Sequence, residues 1–416
     1  MPRDESRGFG ARLPEPASRV LEGFAMNAPV LARLLEEKRV IVCVGAGGVG
    51  KTTFAAALAL AAAKAGRQAL CLTIDPAQRL ATSLGLDALA DGVRDLDVEM
   101  LRERGVQAKA GLSVMVVDAK RTFDEIVARH ASSDEVRDRI LRNDVYGYVS
   151  EHLAGTQAYM AMEKLLSVEQ DPRYETIVLD TPPTAHALDF LDAPDRLVEL
   201  VDNPALKGLV GALSSSGRMS LDLVARGVRG ALHAMGQITG IGLIERVSEF
   251  VAALNELFGG FRARAERVRT TLASRRSGYV LVASPAAYAL DQVLAFARRL
   301  EARELSADAL VVNRVEPAFG AELDVALLGR AAAARGLSLD LDLTERIVRA
   351  AEQQELLGAR DRTLLQGYLG SAESRPLRRL PRITIPAFSD DVHGITALDR
   401  VATLAWQTEA PEVGLR

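Results

Sequence analysis

The sequence predicts an α/β protein built on a mostly parallel sheet flanked by helices, with an inserted helical subdomain. Three observations predict it. A strand, a glycine loop, a helix and a second strand follow one another between Val40 and Ile74; this is one βαβ unit and implies right-handed parallel crossovers. Most of the other apolar runs are continuous in Val, Ile and Leu, as in strands buried on both faces. Two long stretches between them, about 120–168 and about 187–273, are helical in composition.

Taken in order, Ala28–Lys38 is a short amphipathic helix leading into the strand Val40–Val44. Thr52–Ala65 is rich in Ala and Leu, which favour helix, and Gly66 ends it. Gln68–Ile74 is the second strand and closes at Asp75-Pro76. Further strands are expected at Leu112–Val117, Thr176–Leu179, Tyr279–Ala283, Ala309–Val312 and Ile383–Ile385. The stretch 120–168 is charged and amphipathic. Within 187–273, Lys207–Gly242 mixes helix-favouring and helix-breaking residues, so short mobile helices are expected there. A third helical stretch, Glu322–Leu369, is expected to cover the outside of the sheet. Residues 1–29 read as a loose tail without the apolar segment of a signal peptide, and Met26 is a second candidate start. One domain then spans 30–409, with a short tail at 410–416.

The bulk numbers set limits. With 416 residues, 48% of them hydrophobic, the chain can bury a large core. A net charge of -4 gives no long-range attraction to nucleic acid, so no nucleic-acid partner is expected. The two cysteines, Cys43 and Cys71, sit in apolar runs and form no Cys-x-x-Cys pair. They read as small core residues in a reduced, cytoplasmic setting. No apolar stretch approaches the ~20 residues that cross a bilayer.

Gly45-Ala46-Gly47-Gly48-Val49-Gly50-Lys51-Thr52 has the Gly-x-x-x-x-Gly-Lys-Thr spacing of a phosphate-binding loop. Its glycines let successive N–H groups face inward, and the helix that follows adds a partial positive charge at its N-terminus. Lys51 is placed to reach the β- and γ-phosphates of ATP, and the Thr52 hydroxyl to ligate Mg²⁺. Thr53 is placed at the α-phosphate. A dinucleotide-binding turn is a poor rival, because it has no use for the Lys-Thr pair. Ile177-Val178-Leu179-Asp180 is an apolar strand capped by a carboxylate, and Asp180 is expected to hold Mg²⁺ through a water. Together these motifs predict a P-loop ATPase.

The flanking residues resemble one family. Gly45 to Thr53 is similar to the glycine loop of the deviant Walker ATPases, which are SIMIBI-type P-loop NTPases. Thr73-Ile74-Asp75-Pro76-Ala77 resembles their switch I, and Asp180-Thr181-Pro182-Pro183-Thr184-Ala185-His186 their switch II. The second form points to the arsenite-pump ATPase (ArsA) branch, which includes the guided-entry factors that carry tail-anchored membrane proteins. The likeness is closest to bacterial ArsA-related ATPases of unsettled role, on Asp118–Glu125, Leu153–Gln157 and Met160–Lys164.

The resemblance implies that Asp75 orients or deprotonates the attacking water, and that Thr181 and Thr184 sense the γ-phosphate. It also implies that Asn313 reads the adenine edge, and that Pro386 and Phe388 belong to the adenine loop. A homo- or heterodimer with another ArsA-like chain is implied, with a membrane-protein client or a membrane transporter as further partner. Departures qualify this. The branch's signature lysine is Ala46 here, and the cysteines that bind arsenite or join guided-entry dimers through zinc are absent. Slow hydrolysis by the isolated chain is therefore expected, with Lys120 or Arg121 as candidate replacement cations. The purpose read from the resemblance is an ATP-driven switch with a client-binding helical subdomain. The alternatives are an energising subunit of an anion transport system, or an ATP-binding scaffold with little hydrolysis.

Overall fold

The computed structural model describes residues 30–74, 79–85, 92–143, 146–147, 156–182, 192, 199, 263–318 and 323–407. The two tails and Lys207–Gly242 lie outside them.

Eight strands form one sheet: β1 Val40–Gly45, β2 Ala69–Thr73, β3 Val93–Leu96, β4 Leu112–Val116, β5 Thr176–Asp180, β6 Ser277–Ala283, β7 Ala309–Val315 and β8 Arg382–Pro386. Their order is β3-β4-β2-β5-β1-β6-β7-β8, and every pairing is parallel except β3 with β4. Strands β1, β2, β5 and β6 are buried along their whole length, as their unbroken apolar runs require. From β1 the chain crosses to β2 on one side, whereas β6 leads to β7 on the other. That divergence opens a crevice at the carboxyl end of β1, where parallel α/β sheets bind ligands.

The helix Lys51–Ala65 fills the space behind this crevice. It is apolar on every side, so it is buried on every side, between the sheet and the C-terminal helix Ile395–Gln407. Gly66 ends it at φ 95°, its N–H bonded to the Ala62 and Ala63 carbonyls.

The structure adds one strand to the expected layout and divides two of its helical stretches into separate helices. The edge strand β3 was not foreseen: its Val-Arg-Asp-Leu sequence is short, polar and mostly exposed, which suits an edge and hides it from an apolar-run reading. The stretch 120–168 divides into the helices Ala119–His130, Asp134–Leu141 and Thr156–Glu169, the first two capped by Asp118 and Ser133. The stretch 322–369 is likewise broken, into Val325–Ala333 and Leu341–Gly370. The second of these helices runs for 30 residues. Its C-terminal half joins the core through Leu365 and Leu369, while Leu341 and Leu356 are exposed.

Between β5 and β6 the described residues give two anchor points. Asp192 pairs with Arg299, at 2.5 Å, and with Arg303. Helix 263–273 is held by Arg264, whose Nε donates to buried Glu163 at 2.9 Å.

Candidate active site

The loop after β1 has the shape its sequence demands. Gly48 and Gly50 take left-handed φ angles of 78° and 84°. Gly50 admits no side chain for a second reason: a Cβ there would lie 2.2 Å from Asn313 Nδ2. The helix then starts directly with Lys51, so its first free N–H groups open toward the loop.

Asp180, at the end of β5, is wholly buried and collects the polar groups around it. Its Oδ2 accepts from the Thr52 hydroxyl at 2.7 Å and from the Thr73 hydroxyl at 3.0 Å. Lys51 Nζ is 3.6 Å from its Oδ1, with Lys51 only 8% exposed. The ends of β2 and β5 and the start of the helix after β1 are thereby joined at one carboxylate. Bonds to backbone carbonyls reinforce the junction. Ile74 N–H donates to the Asp180 carbonyl at 3.2 Å, and the Thr181 hydroxyl to the Cys43 carbonyl at 2.8 Å. Burial pushes the Cys43 and Cys71 thiols up, and the Asp180 charge pushes them further, so both stay protonated and inert.

A hydroxyl beside a carboxylate is a donor set for a hard cation, and Thr52 with Asp180 suits Mg²⁺. Among the described residues no three His, Cys, Asp or Glu side chains cluster as a metal site. A cation here would take much of its shell from phosphate oxygens and water, which is the habit of Mg²⁺.

The structure brings Gly45, Ala46, Gly47, Gly48, Val49, Gly50, Lys51, Thr52, Thr53 and Asp180 together. Asp75, Thr184 and His186 lie outside the described residues. Asn313 is at the loop, but its amide is already employed: Nδ2 donates to the Val49 carbonyl at 2.8 Å. Pro386 ends β8, and the Ala387 N–H beside it bonds the Val315 carbonyl at 2.8 Å. Phe388 is half-buried under the Arg400 guanidinium, 5.0 Å from its ring centre.

The candidate replacement cations are on the helix after β4. Lys120 and Arg121 follow β4, with β2 and β5 between them and β1, and each pairs with an acid one turn along, Asp124 and Glu125. Ala46 is itself 3% exposed. Sequence reasoning missed Arg314, whose Nη1 donates to the Gly48 carbonyl at 3.1 Å. The signal was its place beside Asn313 at the end of a strand two positions from β1.

Comparisons with known proteins agree with this geometry. The profile of the anion-transporting ATPase family, ArsA, matches residues 38–324. The chain is 26% identical over 290 residues to the ATPase GET3 of Podospora anserina, covering 69% of this chain and 76% of that one. It is 30% identical over 207 residues to the ATPase GET3 of Chaetomium globosum, covering 46% of this chain and 56% of that one.

Proposed function

The chain belongs to the anion-transporting ATPase (ArsA) family and is an ATPase; from that premise we propose that it is an ATP-driven switch. Hydrolysis of Mg²⁺-ATP changes the conformation of the segment between β5 and β6, whose composition reads as helical and which binds a client or partner. The observation that carries this reading is the Asp180 junction. One carboxylate contacts Lys51 and Thr52 on the phosphate side and Thr73 at the end of β2, and it stands at the root of that segment. A change in γ-phosphate occupancy is felt there first, as in other nucleotide switches.

In this reading Lys51 neutralises the β- and γ-phosphates, and Thr52 and Asp180 hold Mg²⁺, which spreads the negative charge of the transferred phosphoryl group. Asp75 orients the attacking water, supported by its neighbour Ile74, which is bonded to the Asp180 carbonyl. In the same reading Asn313, Pro386 and Phe388 contact the adenine. The Asp75→Asn variant is expected to keep its ATP affinity and lose at least about 100-fold in turnover. Hydrogen exchange over 207–242 should differ between that ATP-loaded variant and the nucleotide-free chain. Equal exchange in both states would sink the switch and leave only the ATPase.

A partner chain completes the site in this proposal, because buried Ala46 carries no cation to offer across a dimer. Turnover per chain is then slow, and it rises with concentration or on adding an ArsA-like chain that has the lysine. Fast turnover independent of both would exclude a shared site. The family's description favours one second reading, the energising subunit of an anion transport system. Dependence of turnover on an added oxyanion, in membranes but not in solution, would select it.

A further inference from the structure

Two non-glycine residues among those described have a positive φ, and one of them is Arg314, at 60°. A long side chain is disfavoured in the left-handed region, so something must hold it there. It sits in a bulge: β7 pairs with β8 at Val312 and again at Val315, with the register shifted between. A bulge adds one residue to its strand and re-aims the side chains there. Here it turns two consecutive side chains onto two consecutive carbonyls of the phosphate loop. Arg314 Nη1 donates to the Gly48 carbonyl at 3.1 Å and Asn313 Nδ2 to the Val49 carbonyl at 2.8 Å.

What this does follows from peptide geometry. In a planar trans peptide the C=O and the N–H point in opposite directions. The Gly48 carbonyl shares its peptide with the Val49 N–H, and the Val49 carbonyl with the Gly50 N–H. Side chains that hold both carbonyls on the outside of the loop hold both N–H groups on the inside, where phosphate oxygens are bound. The need is local, since Gly47, Gly48 and Gly50 leave these peptides free to rotate.

We infer that Arg314 is a positioning residue of the ATPase, which with Asn313 locks the Gly48–Val49 and Val49–Gly50 peptides so that their N–H groups face the phosphates. The inference rests on the ATPase reading and deepens it.

Glycine accepts a φ of 60° without strain, which separates this role from a merely structural one. Arg314→Gly is expected to melt no lower than wild type without nucleotide. It should nevertheless bind Mg²⁺-ATP and Mg²⁺-ADP about 10-fold more weakly by calorimetry, with a lower kcat, as charged contacts to a phosphate-binding element require. Arg314→Lys, which keeps a donor but loses the planar fork, should recover part of the affinity. Wild-type affinity and kcat in Arg314→Gly would overturn the inference, and so would a weaker affinity accompanied by an equally lowered melting temperature. A wild-type chain whose ATP affinity is indifferent to Lys51→Ala would overturn the ATPase reading and this inference with it.

Discussion

Replacing Lys51 by alanine is expected to remove ATP binding and hydrolysis together. Lys51 is the first residue of the helix that opens on the loop, and it is almost fully buried beside Asp180. A cation in so dry a place is felt far more strongly than one in water. Without it, the β- and γ-phosphates would enter a site whose nearest formal charge is the Asp180 carboxylate. The expected fall in kcat/KM is about 10³-fold or more, equivalent to roughly 4 kcal/mol of transition-state stabilisation. The variant should still fold, because Asp180 keeps both hydroxyl donors, Thr52 and Thr73. A steady-state assay with circular dichroism on the same sample checks both halves. Full ATPase activity in a folded Lys51→Ala protein would remove the phosphate loop from the mechanism.

The parts of this site that were legible in the sequence are those in which short-range order carries the chemistry. Gly45 to Thr52 specifies its own turn, because positive φ at Gly48 and Gly50, and the helix start at Lys51, are decided within eight residues. Asp180 was legible for a related reason: a run apolar enough to be buried on both faces can end in a carboxylate only where something answers its charge. Long-range pairing was not legible. Asn313 resembles an adenine-reading residue, yet its amide bonds a loop carbonyl more than 260 positions earlier, and no local pattern announces that. Arg314 was legible only as the neighbour of Asn313, since left-handed backbone at an arginine comes from a bulge between β7 and β8. The same holds for β3, whose place is fixed by β4 and not by its own apolar content. In 322–369, composition announced helix but not its packing: within Leu341–Gly370 the C-terminal half joins the core through Leu365 and Leu369, while Leu341 and Leu356 are exposed.

Asp180→Ala is expected to change two measurements in opposite directions. Stability should fall, because Lys51 then lacks its buried counter-charge and Thr52 and Thr73 lose a shared acceptor. Breaking a buried pair by removing one partner typically costs about 3–5 kcal/mol, and the melting temperature should drop accordingly. Tolerance of metal-free ATP should rise. In the wild type a bare triphosphate meets the Asp180 carboxylate, and like charges at such range repel strongly, so binding needs Mg²⁺ between them. In Asp180→Ala that repulsion is gone, and the phosphates can themselves act as the missing counter-charge for Lys51. ATP in the presence of a chelator should then raise the melting temperature of the variant more than that of the wild type, by the linkage between ligand binding and stability. Hydrolysis should still be lost, because the cation that spreads the charge of the transferred phosphoryl group has no fixed seat. A thermal-shift series of both proteins, with ATP alone and with Mg²⁺-ATP, reads all of this. If the wild type and Asp180→Ala show the same dependence on Mg²⁺, then Asp180 does not hold the metal, and its burial beside Lys51 is only a prop for the loop.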